Sequence, residues 1–153
     1  MTISRQTFKP KERLKSRKMI ERLFKEGYII HHYPFKVLYI FSEKTSQYPA
    51  QIAISVSKKI YKRAVDRNYI KRKIRESYRK NKEILYNEIN RNNLLLNIFL
   101  IYNAKTNLSY EEIDIGVKGL IQKIISLSEN ANQNIQNKIE LKNVNSKDNS
   151  IKH

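Results

Sequence analysis

The chain has 153 residues, enough for one domain with a modest core, and 31 Lys and Arg against 14 Asp and Glu give a formal net charge of +17. Cysteine is absent, which excludes a disulfide framework, a thiolate nucleophile and a cysteine metal site, and fits a reducing cytoplasm. The first residues, MTISRQTFKPKERLKSRK, lack the apolar stretch of a signal peptide, and the longest apolar run, Leu94 to Tyr102, is too short to span a bilayer.

In chain order, residues 1–12 are polar and basic, and Pro10 discourages regular structure, so this segment is expected to be flexible. Ser16 can cap a helix in which Met19, Ile20, Leu23 and Phe24 recur at helical spacing, with Gly27 as its stop. The stretch YIIHHYPFKVLYIF is rich in β-branched and aromatic residues. Pro34 divides it into a looser first half, with room for a strand near Tyr28–His32, and a strand from about Phe35 to Phe41. In that strand Phe35, Val37, Tyr39 and Phe41 share one face, and Lys36, Leu38 and Ile40 share the other. After a polar connection, Gln51 to Ser57 alternates, with Ile52, Ile54 and Val56 on one face and Ala53, Ser55 and Ser57 on the other. The second face is small enough for a ligand backbone to approach closely, although an ordinary solvent face has the same composition.

Lys58 to Arg79, KKIYKRAVDRNYIKRKIRESYR, concentrates ten cationic residues around Asp66 and Glu76 alone, and from about Ala64 it reads as a helix to roughly Asn90. On a wheel of about 100° per residue, Ile70, Ile74, Ser77, Tyr78 and Leu85 fall in one burying sector. Lys71, Arg72, Arg75, Arg79 and Lys82 gather in an adjacent stripe with Asn68 at its centre, while Glu76 and Tyr69 lie beyond it. A helix face kept for solubility usually mixes both signs; this one is sorted. Charge of one sign at this density repels itself and favours a polyanionic partner, and an Asn among Arg and Lys can bond a phosphate, a sugar hydroxyl or a base edge.

LLLNIFLIY then reads as an interior strand covered on both faces. Ser109 and Glu112 form a capping box for a last helix buried through Ile113, Val117, Leu120, Ile121 and Ile124. From about Glu129 the chain is Asn-, Gln-, Lys- and Ser-rich. The expected organisation is thus a flexible segment over 1–12, one α+β domain over 13–128 in the order α-β-β-α-β-α, and a disordered Asn-rich tail over 129–153. His31 and His32 are adjacent, so on a strand they point to opposite faces and cannot chelate one ion. No paired carboxylates, phosphate-cradling glycine loop or nucleophile motif is present, so any chemistry belongs to a partner. A helix-turn-helix DNA reader needs a helix directly before its recognition helix, and here Gln51 to Ser57 puts a strand there. A membrane-surface helix needs a large apolar face opposite its cationic one, which Ala64–Asn90 lacks.

ISVSKK followed by AVDRNYIKRKIRESYR resembles the signature region of the bacterial ribonuclease P protein component. RLKSRKMIERLFKEG is similar to that family's first helix, and FKVLY, the apolar strand and the SYEE-initiated last helix extend the likeness over about residues 8–127. Three positions depart from the family pattern: Tyr69 stands where Arg is usual, Tyr61-Lys62-Arg63 replaces a shorter Gly-containing turn, and Ile20 occupies an aromatic position. The resemblance implies a two-layer α-β sandwich of the ribosomal protein S5 domain 2-like type, with a left-handed βαβ crossover. It implies a subunit of the ribonucleoprotein that removes the 5′ leader of precursor tRNA, with hydrolysis performed by the RNA and Mg²⁺ held mainly by that RNA. By the same resemblance, Lys58, Lys59, Arg67, Asn68, Lys71, Arg72 and Arg75 contact ribonuclease P RNA, and Phe24, Phe35 and Tyr39 line a leader-binding cleft of precursor tRNA. No catalytic residue, membrane or DNA partner is expected on this chain. A structural RNA-binding protein of ribosomal type is the alternative that shares the charge and the missing active site.

Overall fold

The computed structural model describes residues 7–151, with side chains described through residue 144. A 3₁₀ turn at Pro10–Glu12 leads into α1 (Arg17–Glu26), β1 (Tyr28–His32), β2 (Phe35–Glu43), β3 (Ala50–Val56), α2 (Ala64–Arg91), β4 (Leu94–Tyr102) and α3 (Tyr110–Ile151). Tyr28–His32 is therefore a full strand, one more than the minimal sequence order, because Tyr33-Pro34 forms the turn of a β1–β2 hairpin in perfect register with β2.

The four strands form one sheet in the order β1-β2-β4-β3, antiparallel except for the parallel β3–β4 pair that α2 connects. The registers align Phe35, Val37, Tyr39 and Phe41 with Leu96, Ile98, Leu100 and Tyr102, and these with Ala50, Ile52, Ile54 and Val56. This face packs against α2 and α3 in the main core, to which α2 contributes Ile70, Ile74, Tyr78, Leu85 and Ile89. The reverse face carries Leu38, Ile40, Ala53 and Phe99, which with Leu14, Leu23, Met19 and Ile20 form a smaller core beneath α1. Burying a Leu or Ile side chain contributes about 1.5–3 kcal/mol, so the main core dominates stability while the α1 side is thinner.

Local chemistry sets the boundaries. The Met19 amide donates to Ser16 Oγ at 3.2 Å, capping α1. Asn93, at φ 55°, makes the left-handed step between α2 and β4 that Asn tolerates better than most residues. Ser109 and Glu112 satisfy each other's amides at 3.2 and 2.9 Å, the capping box expected for α3. Asp114 on α3 accepts from Ser77 Oγ at 2.6 Å and from Asn81 Nδ2 at 3.0 Å on α2, fixing the two helices laterally.

Two expectations about the ends change. The segment before Arg13 is held from Thr7 onward: Phe8 packs edge-on to Tyr78 at 5.8 Å, and Glu12 is buried; residues 1–6 lie outside the described residues. Beyond Glu129, α3 continues as helix to Ile151 rather than dissolving into a disordered tail. As far as Ile135 a stripe survives dilution by Asn: Leu127, Ala131 and Ile135 pack on the main core one helical turn after another, while residues 136–144 are exposed.

Candidate nucleic-acid interface

α2 runs beside β3 and offers its cationic stripe outward from the anchors Ile70, Ile74 and Tyr78, all buried. Asn68, Arg72 and Arg75 are exposed, and Arg67 and Lys71 are half-buried. Lys58 and Lys59, exposed, follow β3 in the loop before α2. Tyr61 pins that loop by donating to Ala104 O at 2.8 Å, and Arg67 Nη1 closes it with bonds to the carbonyls of Tyr61 and Lys62, each at 2.9 Å. Arg67 thus shapes the loop that carries Lys58 and Lys59.

Electrostatics confirm the crowding of like charge. The Lys71 ammonium is held below the usual lysine value by burial and then by Arg75, Arg67 and Lys58. Arg75 is lowered by burial and then by Arg13. Arg13 was not among the residues singled out from sequence; it enters because Leu14 N donates to Ile52 O at 3.0 Å, laying Arg13 along the open edge of β3. Its only sequence signal is that it precedes Leu14, an apolar residue just before the first helix. Arg13, Lys15 and Arg75 rim a hollow of about 200 Å³ floored by Phe8, Leu14 and Ile52 to Ile54.

The stripe is shorter than the wheel indicated. Lys82, placed on it by angle alone, turns inward and pairs with Glu12 at 2.6 Å. Arg79 pairs with Glu76 at 2.7 Å, so an acid does reach the C-terminal end of the stripe. Tyr69 stands off it as expected, 52% exposed with Lys73 Nζ 4.2 Å from its ring centroid. The continuous cationic face therefore runs from Lys58 through Arg67, Asn68, Lys71 and Arg72 to Arg75, and on to Arg13.

The three aromatics expected to share a cleft are not brought together. Phe24 projects from α1, 60% exposed, with its ring 5.0 Å from Phe99 on the α1 side of the sheet. Phe35 and Tyr39 are 2% and 7% exposed and lie on the opposite face, against Tyr102 and Phe41 respectively. Strand alternation assigned Phe35 and Tyr39 to one face correctly but could not say which face α1 covers; Leu38 and Ile40 meet it instead. Phe99 is the aromatic that accompanies Phe24, and its place within a continuous apolar run hid it.

Fold and face together define an α+β protein that spends its buried polar groups on structure and offers a sorted cationic surface along one sheet edge. The family description Ribonuclease P matches residues 8–125, and the chain belongs to that family. Among relatives, the ribonuclease P protein component of Porphyromonas gingivalis is 44% identical over 75 residues, 48% of this chain and 54% of that protein. That of Borrelia turicatae is 30% identical over 112 residues, 73% of this chain and 90% of that one. The chain thus spans about half the length of the first relative and nine-tenths of the second. The solved Staphylococcus aureus RNase P protein superposes with TM-score 0.56 at 28% identity, covering 74% of this chain and 94% of that one. The Thermotoga maritima RNase P protein gives 0.57 at 26% identity, covering 73% and 96%.

Proposed function

We propose that this chain is the protein subunit of a ribonuclease P ribonucleoprotein and assists endonucleolytic removal of the 5′ leader from precursor tRNA. The observation that carries the reading is the cationic face: Lys58 and Lys59 in the loop before α2 and Arg67, Lys71, Arg72 and Arg75 on α2 gather around Asn68, and Lys71 is held low by burial and then by Arg75, Arg67 and Lys58. Such a face is costly alone and is relieved by phosphates. In this reading Lys58, Arg67, Lys71, Arg72 and Arg75 meet phosphates of the RNA subunit, Asn68 adds a directional hydrogen bond, and Lys59 extends the contact. Phe24, beside Phe99, offers an aromatic platform to a single-stranded leader without reading its sequence. Phe35 and Tyr39 support the sheet from beneath.

Among the described residues no group of three or more His, Asp or Glu side chains is arranged to hold a metal ion. Mg²⁺ is assigned in this reading mainly to the RNA, as the family resemblance implies, and no step is routed through protein ligands. In this reading the chain acts on precursor tRNA in the cytoplasm. Among the described residues no helix is long and apolar enough to cross a membrane.

The test is reconstitution of the full chain with a bacterial ribonuclease P RNA and precursor tRNA at low Mg²⁺. Stimulated 5′ cleavage is expected, together with tighter binding of precursor than of mature tRNA. RNA binding without stimulation would overturn the processing role and leave a structural RNA-binding protein.

A further inference from the structure

At the sheet edge remote from the cationic face, α3 crosses the β1–β2 hairpin over a groove of about 270 Å³. Its floor is aromatic: Tyr28 pairs with Tyr39 across the strands, their rings 5.7 Å apart and inclined by 31°, and Phe41 closes against Tyr39 at 5.4 Å. Tyr39 is buried, but Tyr28 is 67% exposed, so the outer ring of this tilted pair remains open to a ligand. The roof is mixed: Leu127, Ala131 and Ile135 form its inner, apolar part, and Asn130, Asn134 and Lys138, spaced four residues apart on α3, add polar groups to the groove lining.

We propose that this groove binds one unpaired nucleotide of a single-stranded RNA. Each part matches a part of that ligand. Tyr28 offers a π-face on which any base can stack, the Asn130 and Asn134 amides carry both donors and an acceptor for a base edge, and Lys138 offers an ammonium to the adjoining phosphate. A net charge of +17 brings RNA to the whole surface. The site is separate from the α2 face: β1 and β3 are opposite edges of the sheet, three strand spacings or roughly 15 Å apart. It is also outside the family pattern on one side, since the family match ends at residue 125 and all three polar roof residues follow it.

The test uses the full chain and a ten-nucleotide single-stranded RNA carrying 4-thiouridine, with affinity read by fluorescence anisotropy and contacts by photo-cross-linking and mass spectrometry. Tyr28→Leu keeps an apolar side chain on an exposed strand position and is expected to weaken binding about 5- to 150-fold, the range for losing one base–aromatic stack. Lys138→Gln, on an exposed helix position, is expected to lower the slope of log affinity against log salt by about one. Cross-links at Tyr28 support the site, and repeating the labelling in the ribonuclease P RNA or in the precursor leader tells which RNA supplies the nucleotide. Unchanged affinity in both variants, or cross-links confined to α2 and its flanking loop, would overturn the proposal without touching the reading of the α2 face.

Discussion

Lys82 Nζ and Glu12 Oε1 stand 2.6 Å apart, with side chains only 10% and 3% exposed, and they join residues 70 positions apart in the chain. Lys82 also donates to Thr7 O, and Glu12 accepts from the Lys9 amide. The pair clamps the N-terminal segment onto α2, and Arg13, the next residue, is thereby fixed beside Arg75. Removing one partner leaves the other charge buried without its counterion, so Lys82→Ala and Glu12→Ala should each cost about 3–5 kcal/mol in denaturant unfolding. The double variant Glu12→Leu with Lys82→Met should recover much of that loss.

The same carboxyl governs behaviour in acid. Burial pushes Glu12 upward, but hydrogen bonds from Lys82, the Lys9 amide and Tyr86, with the Lys82 charge, hold it below its ordinary value of 4.5. Asp114 behaves alike: burial raises it, while bonds from Ser77, Lys118 and Asn81 outweigh burial and keep it below 3.8. A carboxyl depressed in the folded state binds fewer protons there than in the unfolded chain, so its stabilisation is complete above the unfolded value. It is lost as pH falls through the folded one. Unfolding free energy should be level from neutrality to about pH 5 and then decline. Glu12→Gln should start lower at neutrality and decline less steeply between pH 5 and 3.

Gly116 and Gly119 sit where α3 meets the β1–β2 hairpin, yet they should respond oppositely to alanine. A Cβ on Gly116 would meet Pro34 Cδ at 2.6 Å and Tyr33 O at 3.1 Å, a ring and a backbone atom that cannot swing aside. Gly116→Ala should therefore destabilise by about 1–3 kcal/mol despite its better helix propensity. The three atoms nearest a Cβ on Gly119 all belong to the imidazole of half-buried His32, the end of a side chain that can change rotamer where a proline ring and a backbone carbonyl cannot. Gly119→Ala should be neutral or stabilising by up to about 1 kcal/mol, the helix-propensity gain. Paired thermal melts check both.

How much of this was legible follows from the range of each signal. The buried side of α2 was readable because Ile70, Ile74, Ser77, Tyr78 and Leu85 repeat with the local helical period, and all five are buried. Lys82 was not, because its inward turn depends on Glu12, and no local pattern announces a partner so distant. Strand alternation separated Val37 and Tyr39 from Leu38 and Ile40, but both sets are apolar, so the face that meets α1 was a matter of tertiary packing. The continuation of α3 was masked because Asn residues surround Ala131 and Ile135, lowering the mean hydropathy while leaving the spacing intact.

The cationic face makes a ranked prediction. Lys71 and Arg75 sit in the most crowded part of it, so their loss should weaken RNA binding while raising the melting temperature of the free protein by relieving repulsion. Arg67→Ala should weaken binding too but lower stability, because it also surrenders two bonds to the Tyr61 and Lys62 carbonyls. Tyr69→Ala should do least, since its ring engages Lys73 away from the face. Arg13→Ala should fall with Lys71 and Arg75, being part of the same charge cluster. If six to ten phosphates are met, affinity of the unaltered chain should drop roughly 10³- to 10⁵-fold between 50 and 200 mM salt, and each cationic loss should reduce that slope by about one. A titration series in salt measures all of these together. Equal losses at Tyr69 and Lys71, or an affinity indifferent to salt, would mean that RNA approaches another surface.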